Sequence, residues 1–326
     1  MIRLNRFAVY AWAVTAFNVA VVVWGAYVRA SGSGDGCGSH WPLCNGEVIP
    51  QAPAVKTLVE MSHRATSGVA LLLVVLLLYK AFRAFPKGHR VRAGAAASFA
   101  FIMIEALIGA GLVKFGLVAK DDSVARAVVL AVHLTNTFVL LGSLALTAWW
   151  ASGGPPLRFA RAGAARWLFA ASLLGTLLIG VSGSVAALGD TLFPSGTLAE
   201  GVRQDFSTTA HVLIRLRLLH PVIALAVGAL VFYTASAAPR VRAEEWVRRW
   251  SSATLALLVT QLVAGLTNVA LLAPVWLQLV HLLLADLLWV ALVLLAAATL
   301  AEATEGSKAF EQSGVTAAAT TASAEL

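Results

Sequence analysis

The stretch Glu60-Met61-Ser62-His63-Arg64 sets a carboxylate, an imidazole and a guanidinium within five residues, directly before an apolar run over 65–79. Glu60 and His63 are three apart, so a helix puts them on one face. Ionisable groups at membrane depth are costly and mark function by default. The chain has seven histidines. His89 and His40 fall in loops and read as solvated or structural. The other five, His63, His133, His211, His220 and His281, fall at or near the starts of apolar runs. Imidazoles in that setting can bind a metal or a haem iron, and a neighbouring carboxylate can move a proton or stabilise a cation.

The elements that must position these groups are apolar helices. Of the 326 residues, 59% are hydrophobic and 12% charged, about half the charge of a soluble domain. Eight runs approach or exceed the ~20 residues that cross a bilayer: 7–29, 64–82, 94–116, 125–150, 166–188, 210–236, 251–273 and 276–300. The first run follows Met1–Arg6 without a small-residue cleavage site and reads as a retained span. The net charge of +8 does not require nucleic acid. One side of the spans receives 15 of the 24 Lys and Arg residues, among them Arg3, Arg6, Arg158, Arg161 and Lys308. The positive-inside rule then places both termini in the cytoplasm. Residues 301–326, rich in Ala, Thr, Ser and Glu, read as a disordered cytoplasmic tail.

The chain repeats itself. Ser31-Gly32-Ser33 recurs as Ser182-Gly183-Ser184. His63 recurs as His220 after 157 residues, Glu105 with its Gly-rich sequel as Gln261 after 156, and His133 as His281 after 148. Four landmarks in one order predict an all-α membrane protein with eight transmembrane helices. These form two four-helix bundles, 1–155 and 156–300, related by a pseudo-two-fold axis along the membrane normal.

That repeat changes how the histidines read. His133, His220 and His281 lie roughly 8, 10 and 5 residues into spans that run the same way, at similar depths for a rise of about 1.5 Å per residue. One pair per bundle, His63 with His133 and His220 with His281, suits bis-imidazole ligation of haem iron. Covalent c-type attachment is excluded, since Cys-x-x-Cys-His is lacking. Zinc fits less well, because neither pair has the further ligands of a four-ligand shell. His211 has no counterpart and reads as a boundary residue.

The two halves differ chemically. Glu60 stands three before His63, and Arg217 stands three before His220. This asymmetry suggests that one haem is transformed while the other carries electrons. A structural alternative is a Glu60–Arg64 helix pair, worth ~0.3–0.5 kcal/mol. Arg29, Arg64 and Arg217 are candidate partners for haem propionates. Glu105 is open to two readings, a proton relay or a protonated core residue. Asp286 reads as hydrogen-bonded inside its bundle. Cys37 and Cys44, the only cysteines, fall in the first outer loop, which in bacteria faces an oxidising space, so a disulfide is expected. It reads as a loop staple or as a pair that also takes part in redox chemistry.

Gly25-Ala-Tyr-Val-Arg29-Ala-Ser-Gly-Ser-Gly-Asp-Gly-Cys37, Trp41-Pro-Leu-Cys44-Asn-Gly46 and Glu60-x-x-His63-Arg64 together resemble the haem A synthase family, over about residues 7–300. The resemblance implies an enzyme of the bacterial cytoplasmic membrane that oxidises the C8 methyl of haem O to a formyl group. It implies His63 and His133 flanking the substrate haem, His220 and His281 ligating haem b, and Glu60 beside the reacting methyl. It implies a haem O synthase and a terminal oxidase assembly as neighbours, water or O2 as oxygen source, and an electron donor or acceptor. Cys37 and Cys44 match a cysteine pair found in some branches. Two routes are open, successive hydroxylations or electron withdrawal followed by trapping of the cation by water. A different class fits the histidines too, a di-haem b protein passing electrons from quinol. It has no need of Glu60 and would spread its haems over both leaflets.

Overall fold

A computed structural model describes residues 5–157 and 163–301. Arg3, Arg158, Arg161, Lys308 and the expected tail beyond 301 lie outside the described residues. The described residues form ten helices: α1 (Arg6–Ala30), α2 (Val55–Ala84), α3 (Arg90–Lys114), α4 (Val124–Ala151), α5 (Ala165–Leu192), α6 (Leu198–Asp205), α7 (Val212–Arg217), α8 (Leu219–Val241), α9 (Glu245–Ala270) and α10 (Val275–Thr299). Taking α7 and α8 as one span, eight are long and apolar enough to cross a membrane. The described residues form no strand, only two isolated bridges. A backbone crossing lipid must satisfy its own polar groups, and helices do so. Leu72, Leu107, Leu174, Leu225, Val263 and Leu266 are exposed, as lipid-facing side chains must be. The protein is an all-helical, multi-pass membrane protein.

Two boundaries differ from the sequence reading. The second span begins at Val55, not at 64. Hydropathy misses this start because Lys56, Glu60, His63 and Arg64 interrupt the apolar residues, yet the cysteine loop packs over this turn. The Glu60–Arg64 cluster therefore lies inside a helix and not at its mouth. The sixth span is broken at Leu218 into α7 and α8. Pro221 lacks an N–H for the carbonyl four residues earlier, Arg217, and its ring crowds that carbonyl.

The first four spans close a ring, α1 on α2, α2 on α3, α3 on α4 and α4 on α1, and α5, α8, α9 and α10 close a second in the same order. The first core is built from small and branched residues, including Ala8, Ala11, Ala70, Val74, Leu77, Ala81 and Ala95. Small residues let membrane helices approach closely. At Gly94 a Cβ would fall 2.4 Å from Thr147 Oγ1, which marks the tightest α3–α4 crossing. Asn5 caps α1, accepting from the Ala8 N–H at 2.8 Å, and its amide donates to Ala151 O at 3.0 Å, so the start of α1 is tied to the end of α4.

The two rings join where α1 and α4 pack against α5 and α10. Trp289 Nε1 donates to Phe138 O at 2.5 Å, the two rings stack at 5.4 Å, and a Cβ at Gly180 would meet Phe138 at 2.9 Å. The last helix of the first ring therefore packs on both the first and the last helix of the second. Gly94→Leu forces the α3–α4 crossing apart, an overpacking expected to cost about 1–3 kcal/mol. Thermal unfolding in detergent checks this, and an unchanged midpoint contradicts it.

Candidate functional site

Three of the four paired histidines lie against glycine on a neighbouring helix. A Cβ on Gly25 of α1 would fall 2.8 Å from His63 Cε1, one on Gly183 of α5 3.0 Å from His220 Cε1, and one on Gly265 of α9 3.1 Å from His281 Cε1. Side chains do not fit there, so glycine opens the space into which each imidazole turns. The first repeat landmark shifts accordingly. Gly183 corresponds to Gly25, 158 residues earlier, and not to Gly32. The Ser-Gly-Ser likeness at the span ends is incidental, because what the site needs is room beneath an imidazole.

The fourth histidine departs from the pattern. Gly109, 156 residues before Gly265, has open space where its Cβ would be. His133 instead turns its Nδ1 to within 3.2 Å of Glu105 Oε1 on α3.

His220 and His281 face each other across the second ring with centroids 6.5 Å apart and planes at 87°. Metal–nitrogen bonds of about 2 Å, with the metal midway between two imidazoles, put the centroids roughly 6 to 6.5 Å apart. The second pair therefore fits a haem iron. Ser182 Oγ lies 3.1 Å from His220 Nδ1, and Gln261 Nε2 lies 3.2 Å from His281 Nε2. The buried Nδ1 atoms of His63, His133 and His281 have no hydrogen-bond partner among the described residues. Orphaned buried nitrogens need an explanation; for His63 and His281 coordination would supply one, whereas His133 Nδ1 faces the Glu105 carboxylate.

Glu60 is buried, with both oxygens engaged. Oε2 accepts from the Cys37 N–H at 2.8 Å, and Oε1 accepts from Arg64 Nε at 3.1 Å and NH2 at 2.5 Å. The i,i+4 pair weighed from sequence is thus present, and it does more than stabilise a helix. Arg64 NH1 also donates to the carbonyls of His40 and Leu43, and Thr57 Oγ1 donates to Gly36 O at 2.8 Å. A Cβ on Gly36 would lie 2.5 Å from the Lys56 backbone. The cysteine loop therefore docks flush on α2, closed by the expected Cys37–Cys44 disulfide.

Arg217, at the matching position, holds the outer loop of the second ring. Its Nε donates to Asp205 Oδ1 at 2.5 Å, at the end of α6, and its NH1 to Asp190 Oδ1 at 3.2 Å. Arg29 spans the seam, donating from NH1 to Ala187 O and Thr191 Oγ1 and from NH2 to Gln278 Oε1 at 3.1 Å. His211 caps α7, accepting from the Leu213 N–H, and His89 caps α3, in keeping with structural roles. Asp286 is fully buried and neither of its oxygens has a hydrogen-bond partner among the described residues, against the hydrogen bond expected. Arg126, buried, was missed from sequence. Its NH1 donates to Ala119 O and Asp121 O while its Nε has no partner among the described residues. Only its place two turns before His133 hinted at it.

Arg64→Ala strips two loop carbonyls of a donor and leaves Glu60 buried without its cation, which should cost on the order of 3 kcal/mol. Limited proteolysis and thermal unfolding read this out. A loop as resistant as in the wild type contradicts it.

Residues 8–293 match the COX15-CtaA family, cytochrome oxidase assembly proteins. A Thermus thermophilus protein named protoheme IX farnesyltransferase is 52% identical over 296 residues, covering 91% of this chain and 49% of its own length. Proteins named heme A synthase from Bacillus mycoides and Bacillus cereus are 35% identical over 144 residues, 44% of either chain. The chain spans about half the length of the curated relatives it matches. With the family match running from the first span to the last, through every residue of the cysteine loop and all four paired histidines, the chain belongs to the haem A synthase family, COX15-CtaA.

Proposed function

We propose that the chain is a haem A synthase, oxidising the C8 methyl of haem O to the formyl of haem A. The observation that carries this reading is the recurrence of a histidine pair, one to each ring, with a carboxylate, Glu60, three before the first histidine in one ring only. Under this reading His63 and His133 flank the substrate haem, and His220 and His281 hold haem b. Haem b, when bound, supplies one-electron chemistry there. The 6.5 Å separation of the second pair supports the assignment.

Conversion of a methyl to a formyl with water as oxygen source removes four electrons and four protons. Positive charge develops at the carbon as electrons leave, and a fixed carboxylate nearby stabilises it and takes up a proton. Glu60 is fixed in advance by the Cys37 N–H and Arg64, so no side-chain entropy is lost when charge appears. The disulfide closes the loop that supplies that N–H. Arg29 and Arg217 are candidates for the propionates, in exchange for some of the contacts they make within the chain. The excess of Lys and Arg on one side supports a bacterial cytoplasmic membrane, with cytoplasmic termini and with the cysteine loop and haem sites toward the outer face. Ligands at one depth favour this reading over transmembrane transfer between two haem b groups.

The farnesyltransferase name of the Thermus protein supports a different reading, prenyl transfer to protohaem. That protein is about twice the length of the matched region. We assign prenyl transfer to a partner, the haem O synthase, that hands its product to this chain and ultimately to a terminal oxidase assembly. Purified wild-type protein given haem O and an electron acceptor should yield haem A by chromatography of the extracted haems, and Glu60→Ala should accumulate haem O or a hydroxylated intermediate. Normal haem A yield from Glu60→Ala removes the catalytic role. Farnesylated haem formed from protohaem and farnesyl diphosphate overturns the assignment.

A further inference from the structure

The two rings treat their fourth-helix ligand differently. In the first ring, Glu105 reaches His133 Nδ1 at 3.2 Å. The carboxylate is pinned from α4 itself, accepting from Thr137 Oγ1 at 2.5 Å and from Asn136 Nδ2 at 2.5 Å. Asn136 is anchored in turn, donating to Phe101 O at 3.0 Å. Asn136 and Thr137 follow His133 by three and four residues, so they share its helix face. In the second ring the matching residue is Gln261, whose amide Nε2 lies 3.2 Å from His281 Nε2, the other ring nitrogen, and can only donate to it. The positions matching Asn136 and Thr137, 148 residues on, are Leu284 and Ala285, which cannot pin anything. The acid, its two polar supports and the turned imidazole occur together in one ring and are absent together from the other.

We infer that Glu105 is a positioning residue for His133, fixing the ring's orientation and acting as hydrogen-bond acceptor to it, so that iron held by the first pair has a lower reduction potential than iron held by the second. The Nδ1 atom now lies off the line of a hydrogen bond to Oε1, and a small rotation of the ring aligns it. An imidazole that donates its second N–H to a carboxylate is a stronger electron donor and favours the more highly charged metal. The Gln261 amide nitrogen, a donor, gives none of this. This explains why an acid stands at mid-membrane where a glutamine suffices in the repeat. The inference rests on the proposed haem ligation and adds to it a difference between the sites.

The test uses the full-length protein loaded with protohaem, by spectroelectrochemical titration and low-spin electron paramagnetic resonance. The wild type is expected to show two separate midpoint potentials, the lower one lost in His63→Ala. Glu105→Gln should raise the lower potential toward the upper and shift the low-spin signature of that site alone. Gln261→Glu should lower the upper one, which keeps the inference falsifiable where Glu105→Gln fails to load haem. Coincident potentials in the wild type, or variants that load haem with both potentials unmoved, overturn it. A wild-type protein whose haem content is indifferent to His63→Ala refutes the haem-site reading itself, a distinguishable result, and the inference with it.

Discussion

Backbone clearance beneath the imidazoles is the constraint on which the rest depends. An aromatic ring with two nitrogens, carried into an apolar bundle, needs space against a neighbouring helix and something to bind. Gly25, Gly183 and Gly265 provide the space. They also fix how closely α1 meets α2, α5 meets α8 and α9 meets α10, because a side chain at any of them would push the ligand helix away. The polar groups above the rings then have to be closed off from lipid and water, and the outer loops do that.

Those closures are built alike with opposite charge. The residue three before His63 is Glu60, which receives a backbone N–H from the cysteine loop and an arginine from its own helix. The residue three before His220 is Arg217, which receives two aspartates. In both rings this position anchors the loop over the ligands. Only the first leaves a carboxylate there, and the proposed chemistry belongs where positive charge can be met. Glu60 can therefore hold the loop and act in the reaction, its two duties being served by the same hydrogen bonds.

Much of this was legible in sequence. Eight spans and the disulfide follow from apolar length and from two cysteines in one short loop. The start of α2 was not, because hydropathy sees Lys56, Glu60 and Arg64 as polar and cannot see the loop that covers them. The break at Leu218 was readable from Pro221 but was passed over within an apolar run. Gly25 as the partner of His63 was hidden because a glycine's role lies in what it leaves vacant. The buried Arg126 and the buried Asp286 depend on packing between α4, α10 and their neighbours, and no local pattern announces it.

The central claim is that one imidazole pair holds a haem cofactor and the other a haem that is chemically changed. Chromatographic identification of the haems extracted from the purified wild-type protein tests it most directly. The account predicts haem b together with haem O and haem A, with the haem O and haem A fraction lost in His63→Ala and the haem b retained. Haem b alone, in an amount unaffected by His63→Ala, or no haem at all, contradicts it.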